Sequence, residues 1–414
     1  MLGELQRCRV CGGSDIRPFF DLGEQPLANS LPENPDQQEQ CYPLALSWCP
    51  QCSLVQLNYT VDPKELFSSY VWVTGTSQTA RDFAERFSEE LIKRVSGGTD
   101  SYVLEIASND GTFLQPFLKK GFKVLGIDPA KNIVEMAEKS GVPTECLFWG
   151  DKTARDVVEK HGKAAVIFAR NVLPHVANTR DFVQGIGAAL RDDGVLAIEA
   201  HYGKVILDEL HYDSIYHEHL CYFTLKSLEK LLNDFGLFVF DVVRSPISGG
   251  SLVVYAKKRR VEERSSVAVY REQEEKDQAN TLESWIRFRD RAIRHRAKLL
   301  EILDFFKQGG DTVVVGYGAS ARSSTLLNFC GINSTKLPVI ADMNPLKQGR
   351  YTAGTHIPIR NVEEVMARNP KCIFILAWNF ADEIMKSIGE KFNFTGEYLV
   401  PLPRDPRRIR VEQS

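Results

Sequence analysis

No stretch of this sequence approaches the roughly 20 consecutive apolar residues that a membrane-spanning helix needs, so no such helix is expected. The opening segment, MLGELQRCRVC, lacks the apolar run of a secretory signal. The cytoplasm is therefore the expected compartment, and there structural disulfides are rare. Charge of one sign is also lacking: 51 Lys and Arg face 54 Asp and Glu, a net −3 at pH 7. That balance gives no general pull toward nucleic acid or an anionic membrane, and neither partner is expected. Tandem repeats are absent, and 43% hydrophobic residues are too many for a disordered chain.

What is present is a chain of 414 residues, too long for one compact core. Three regions are expected. Residues 1–65 form a small β-rich module. Residues 66–258 form an α/β core, and residues 259–414 a helical connector followed by a second α/β unit. In the middle region, YVLEIAS, FKVLGID, AAVIFAR and GVLAIEA are short apolar runs separated by helical segments. That alternation predicts a parallel, doubly wound sheet. FVFDVVRS and GSLVVYAKK read as a closing antiparallel pair. The charged stretch 258–310 repeats apolar residues (Trp285, Ile286, Phe288, Ile293, Leu299, Leu303) at helical spacing, which predicts two long connecting helices.

Nine cysteines in a reducing compartment are thiols or metal ligands. Cys8-x-x-Cys11 and Cys49-x-x-Cys52 are two knuckles, each aiming two sulfurs at one point. Together they supply four thiolates for a closed tetrahedral zinc site. Such a site leaves no coordination position open, so its zinc is structural.

The turn LEIASNDGTFL (104–114) lies between a strand and a helix. Its small residues let backbone approach a ligand, and a helix start offers unpaired N–H groups. Glu105 ends the first strand. Asp128 ends the second, where a carboxylate can accept both hydroxyls of a ribose. The strict GxGxxG spacing is missing, which disfavours NAD. Glu105-x-x-x-Asn109-Asp110-Gly111 followed by Asp128 resembles the class I, Rossmann-like methyltransferases that use S-adenosylmethionine (SAM). The resemblance implies cofactor binding by Glu105, Ala107, Asn109, Asp110, Gly111, Asp128 and Asn171.

HYDSIYHEHLCYF (211–223) is the densest acid–base cluster in the chain. An extended segment would place His217 and His219 on one face, whereas a helical turn would spread them. Imidazole has the ordinary pKa, about 6.5, for a base at neutral pH. In the C-terminal region, GYGASARSST lacks the GKS/T ending of a P-loop. Ser320, Arg322 and Ser323 at its helix start suit an anion, and Asp342, Asn344 and Lys347 follow the next strand.

Taken together, the four-cysteine module, LEIASNDGTFL, NVLPHV, YHEH, GYGASARSSTLLN and DMNPLKQGRYTAGTHIPI resemble one family over essentially the whole length. These are the nucleotide-sugar C-methyltransferases that methylate C-3 of 4-keto-deoxysugars. The resemblance implies His219 as general base, with Tyr216 and Glu218 assisting or orienting it. It places Asn171 and His175 near the substrate, with Tyr70 after the zinc module. It gives Ser320, Arg322, Asp342 and Lys347 to the sugar nucleotide. Pro174 stands where relatives often have a small residue, which leaves the sugar open. Competing readings are a SAM methyltransferase with an O or N acceptor, a catalytically silent scaffold, and a nicotinamide oxidoreductase. A monomer and a homo-oligomer both stay open.

Overall fold

The computed structural model describes residues 2–67, 73–76, 78–95, 102–245, 249–308 and 313–411. Near the N-terminus, strands Arg17–Pro26, Cys41–Trp48 and Val55–Leu57 pair antiparallel in sequence order. Tyr42, Leu44 and Leu46 alternate inward along the middle strand. A module this small cannot bury enough apolar surface alone. Its sheet gains a fourth strand, Cys221–Tyr222, from the α/β core.

The core sheet has seven strands. Its first five in sequence are Tyr102–Ile106, Lys123–Asp128, Thr144–Cys146, Ala164–Arg170 and Leu190–His201, placed in the order 3-2-1-4-5. These five are parallel. That is the expected doubly wound arrangement. Ala164–Arg170 is buried along almost its whole length, as a central parallel strand should be. Phe238–Ser245 and Ser251–Lys257 close the sheet as the expected antiparallel pair, with Ser251–Lys257 lying against Leu190–His201. Between them and the core runs helix Leu225–Asn233, capped by Thr224 and followed by Gly236 at φ +69°.

The expected connecting helices are Ser265–Lys276 and Leu282–Gln308. Trp285, Phe288, Ala292, Leu299 and Leu303 of the long helix are buried. Ile293 is not: it sits one residue off that stripe and is 50% exposed. Phe19 packs on Trp285, Phe20 on both Phe288 and Phe329, and Tyr212 on Phe329. The long helix thus joins the N-terminal sheet, the core and the C-terminal unit.

That last unit is a second doubly wound sheet. Val314–Tyr317, Ile340–Ala341, Ile359–Arg360, Cys372–Ile375 and Glu397–Val400 are parallel, and Arg407–Arg410 adds antiparallel at the edge. The parallel strands again run in the order 3-2-1-4-5, with the sixth at the edge beside the fifth. In such sheets ligands bind beyond the carboxyl ends of the strands, where the strand order reverses.

Candidate active site

Sγ atoms of Cys8, Cys11, Cys49 and Cys52 lie within 4.8 Å of one another. Four thiolates about 2.3 Å from one zinc ion stand about 3.8 Å apart, so the cluster fits a closed tetrahedral site. The ion binds here as a structural metal. Gly12, at φ +74°, turns the chain after the first knuckle, and Ser53, at φ +61°, does so after the second.

In the core, the strand order reverses between Tyr102–Ile106 and Ala164–Arg170. Five predicted residues lie at the strand ends around that crevice. Ala107 and Asn109 both hold left-handed backbone, at φ +56° and +50°. Asn171, after the fourth strand, does the same at φ +51°. Non-glycine residues seldom adopt this conformation, and they cluster at functional sites. Gly111 is at φ +78°, and a β-carbon there would sit 2.7 Å from Val142. Asp128 accepts from the N–H groups of Asn109 (3.0 Å) and Ala130 (2.9 Å), which fixes its carboxylate across the mouth of the turn.

Asn109 and Asp110 have a further use. Their side chains accept from the N–H groups of Thr74 and Gly75, at 2.8 and 2.9 Å, and so fasten that segment over the turn. Glu105 is buried, and its Oε2 has no hydrogen-bond partner among the described residues. Burial pushes its pKa well up, and Asp110, Asp128 and Glu199 push the same way against the guanidinium of Arg170. Arg170 pairs with Glu199 at 2.7 Å. Asp110 and Asp128, with the Arg170–Glu199 pair, give the crevice an anionic character. That suits a cofactor carrying a sulfonium and an ammonium group. Arg170 escaped sequence reading, although it adjoins Asn171 at a strand end.

The acid–base cluster is not extended. Tyr212–Ser214 is a short 3-10 turn, and the N–H of His219 bonds the carbonyl of Tyr216 at 2.8 Å. This turn sends His217 and His219 apart. His217 leaves the cleft and contacts the Tyr42 carbonyl at 3.2 Å. His219 meets His175 edge-on, with ring centroids 4.8 Å apart.

Nδ1 of His219 lies 2.8 Å from the Ser214 carbonyl, and Nε2 lies 2.8 Å from the Tyr216 hydroxyl. A carbonyl only accepts, so Nδ1 carries the proton of the neutral ring and Nε2 the lone pair. Burial lowers the His219 pKa well below its usual value, and His175 and Arg322 add to that. His175 falls to about 4, again mainly through burial.

Glu218 does not orient this ring; Ser214 does. Glu218 instead accepts from Asn29 of the N-terminal module at 2.5 Å, and burial raises its pKa to about 7. Tyr70 lies outside the described residues.

In the C-terminal unit, Ser320 caps helix Ala321–Cys330 by accepting from the N–H of Ser323. Asp342 accepts from the N–H groups of Ala319 and Asn344, and Lys347 donates to the Ala319 carbonyl at 2.7 Å. These three brace the turn itself. Arg322 points elsewhere. It reaches within 3.5 Å of His201 and lies over the Trp378 ring at 5.5 Å. Trp378 donates to Asp213 at 2.6 Å. His211 belongs to the acid–base cluster read from the sequence, whereas His201 and Trp378 escaped that reading. His201 ends the fifth parallel strand, as Asp128 ends the second, so strand-end position was the available signal.

Three family models match consecutive parts of the chain. They are described as "Putative zinc binding domain" (residues 8–67), "Methyltransferase domain" (79–242) and "C-methyltransferase C-terminal domain" (246–403). The C-methyltransferase NovU of Streptomyces niveus is 31% identical over 414 residues, spanning 99% of this chain and 98% of that protein. A ubiquinone biosynthesis O-methyltransferase of Rhodopseudomonas palustris (strain HaA2) is 27% identical over 122 residues, 28% of this chain and 47% of that one. Among solved structures, a Burkholderia thailandensis 1,6-didemethyltoxoflavin-N1-methyltransferase with bound S-adenosylhomocysteine is 21% identical, with a TM-score of 0.34. It covers 45% of this chain and 80% of its own.

Proposed function

The chain belongs to the SAM-dependent C-methyltransferases, and on that premise we propose that it methylates C-3 of a nucleotide-linked 4-keto-deoxysugar, with His219 as general base. The observation that carries the reading is the fixed ring of His219. Its Nδ1–H is anchored on Ser214, and its Nε2 lone pair meets the Tyr216 hydroxyl beside His175.

A C-3 hydrogen next to a C-4 ketone is acidic because its loss gives an enolate. His219 takes that proton on Nε2. One lone pair cannot serve both this proton and the Tyr216 hydroxyl, so the hydroxyl is released as Nε2 becomes protonated. At the same moment negative charge builds on the C-4 oxygen, and Tyr216 donates to it. A donor that acts only then favours the transition state over the ground state. His175, neutral and in edge contact with His219, shields the pair from water.

SAM, when bound, supplies the electrophilic methyl group. Asp128 would accept from its ribose. The turn Ala107–Gly111 and Asn171, with Glu105 and Glu199, would hold its methionine part. Arg322, carried by the C-terminal unit toward His201 at the end of the fifth core strand, would take the pyrophosphate of the sugar nucleotide. Ser320, Asp342 and Lys347 would support it by holding the turn.

The test is solvent exchange. A 4-keto-deoxysugar nucleotide incubated with the protein in heavy water should take up deuterium at C-3 without SAM, and methyl at C-3 with it. SAM-dependent methylation of an oxygen or nitrogen acceptor, with no C-3 exchange, would replace this reading.

A further inference from the structure

We propose that the two zinc knuckles act as a clamp that sets the separation of His175 and His219, with Thr179 and Leu57 as its points of contact. This rests on the function proposed above and adds the positioning of its acid–base pair.

The first knuckle grips the segment after His175. The carbonyls of Arg9 and Val10 lie between the thiols of Cys8 and Cys11. The Thr179 hydroxyl donates to the first at 2.5 Å, and the Arg180 guanidinium to the second at 2.8 Å. Thr179 is fully buried and opens helix Thr179–Ala189, four residues beyond His175.

The second knuckle grips the segment around His219. Three residues after Cys52, strand Val55–Leu57 begins and pairs with Cys221–Tyr222. The Leu57 N–H donates to the carbonyl of Leu220, the residue after His219, at 3.0 Å. The Leu220 N–H in turn donates to the carbonyl of Pro174, the residue before His175, at 2.7 Å. His217 and Glu218 are bonded to Tyr42 and Asn29 of the same module. His219 is therefore held by this module on both sides.

Arg9 ties the knuckles together. Its buried guanidinium donates to the Leu57 carbonyl at 2.6 Å and to the Thr60 hydroxyl at 2.8 Å, and its own N–H donates to Gln56 at 3.0 Å. A rigid four-thiolate ion then fixes the distance between the knuckles. From each knuckle only a few residues of hydrogen-bonded backbone lead to an imidazole. An error of about 1 Å in such a pair costs on the order of a hundredfold in rate.

The test uses the zinc-loaded full chain with Thr179→Val, Arg180→Met and Thr179→Ser. Zinc content, SAM affinity by calorimetry and the ring titration of His219 by carbon NMR are measured, with His219→Gln to assign the resonance. With His175 no longer held against it, one of the effects that depress the ring is removed, and the His219 midpoint in Thr179→Val and Arg180→Met should rise. C-3 exchange should fall about tenfold or more. Zinc content and SAM affinity should stay unchanged, and Thr179→Ser should restore both readouts. Arg180→Met, at a half-exposed side chain, carries the test if Thr179→Val does not fold. An unmoved His219 midpoint in the folded variants overturns the clamp. A wild-type protein with no C-3 exchange overturns the substrate reading, while the ring titration still decides the clamp.

Discussion

The hydroxyl of Tyr216 lies 2.8 Å from Nε2 of His219, the one ring nitrogen that can accept a proton. Base and donor are thus coupled, and their variants should separate the two halves of the reaction. His219→Ala should lower both C-3 exchange and methylation by about 10²- to 10⁴-fold. Tyr216→Phe leaves the base but removes the donor, so kcat should fall about 10²- to 10³-fold with SAM affinity unchanged. Exchange and methylation followed on one sample check both. His219→Ala with wild-type exchange would sink the base assignment.

The pH dependence follows from the same ring. Burial and the neighbouring His175 and Arg322 depress the His219 pKa, so the ring is already neutral at pH 7. A base competent when deprotonated then loses activity only as pH falls through that lowered value. The acid limb of kcat/KM should lie below about 6.5, with a plateau through neutrality. An acid limb centred at 7 or above would show that another group is the base.

Glu218 gives a prediction about stability. Its folded pKa is raised by burial from 4.5 to about 7. A carboxyl raised on folding favours the native state when protonated. That advantage is full below about 4.5 and is lost as pH rises toward 7. Glu218→Gln removes the cost of a buried charge while keeping an acceptor for Asn29. At pH 8 it should therefore stabilise the protein by up to ~3 kcal/mol, and at pH 4.5 by nearly nothing. Thermal melts at the two pH values decide it. An equal shift at both would mean that Glu218 is not the titrating group.

The two doubly wound sheets were legible because parallel strands are buried on both faces and read as plain apolar runs. The zinc ligands were legible because a CxxC turn is local. The partners of Glu218 and His219 were not. A turn replaced the extended backbone at Tyr216–His219, since Leu220 is drawn into the hydrogen bonds with Leu57 and Pro174. Asn29, 189 residues away, took the carboxylate. No local pattern encodes a contact of that span. Nor does periodicity reveal that Ser320, Asp342 and Lys347 spend their polar atoms on their own turn, so that Arg322 alone of the four reaches His201.

Arg322 should consequently act on the sugar nucleotide and not on the cofactor. Arg322→Met keeps the aliphatic stem and removes the charge that lies over Trp378. The KM for the sugar nucleotide should rise about 10- to 100-fold, the scale of a charge-assisted phosphate contact, with the SAM Kd unchanged. Because the guanidinium also depresses the His219 pKa, the acid limb of kcat should move upward in the variant. A lone change in SAM affinity would place Arg322 in the wrong site.

Asp128 isolates the cofactor half. Its carboxylate accepts from the N–H groups of Asn109 and Ala130, and a carboxylate has about four lone-pair positions, so acceptor capacity remains for a ribose. Asn at this position has the same shape but turns one oxygen into a donor. That donor would either face a backbone N–H and distort the left-handed Asn109, or face the ribose with reduced acceptor strength. Asp128→Asn should therefore weaken SAM about 10- to 100-fold, or ~1.4–2.7 kcal/mol. Zinc content and the His219 titration should be unaffected, since neither depends on this turn. Calorimetry with SAM is the measurement, and an unchanged Kd would remove Asp128 from the cofactor site.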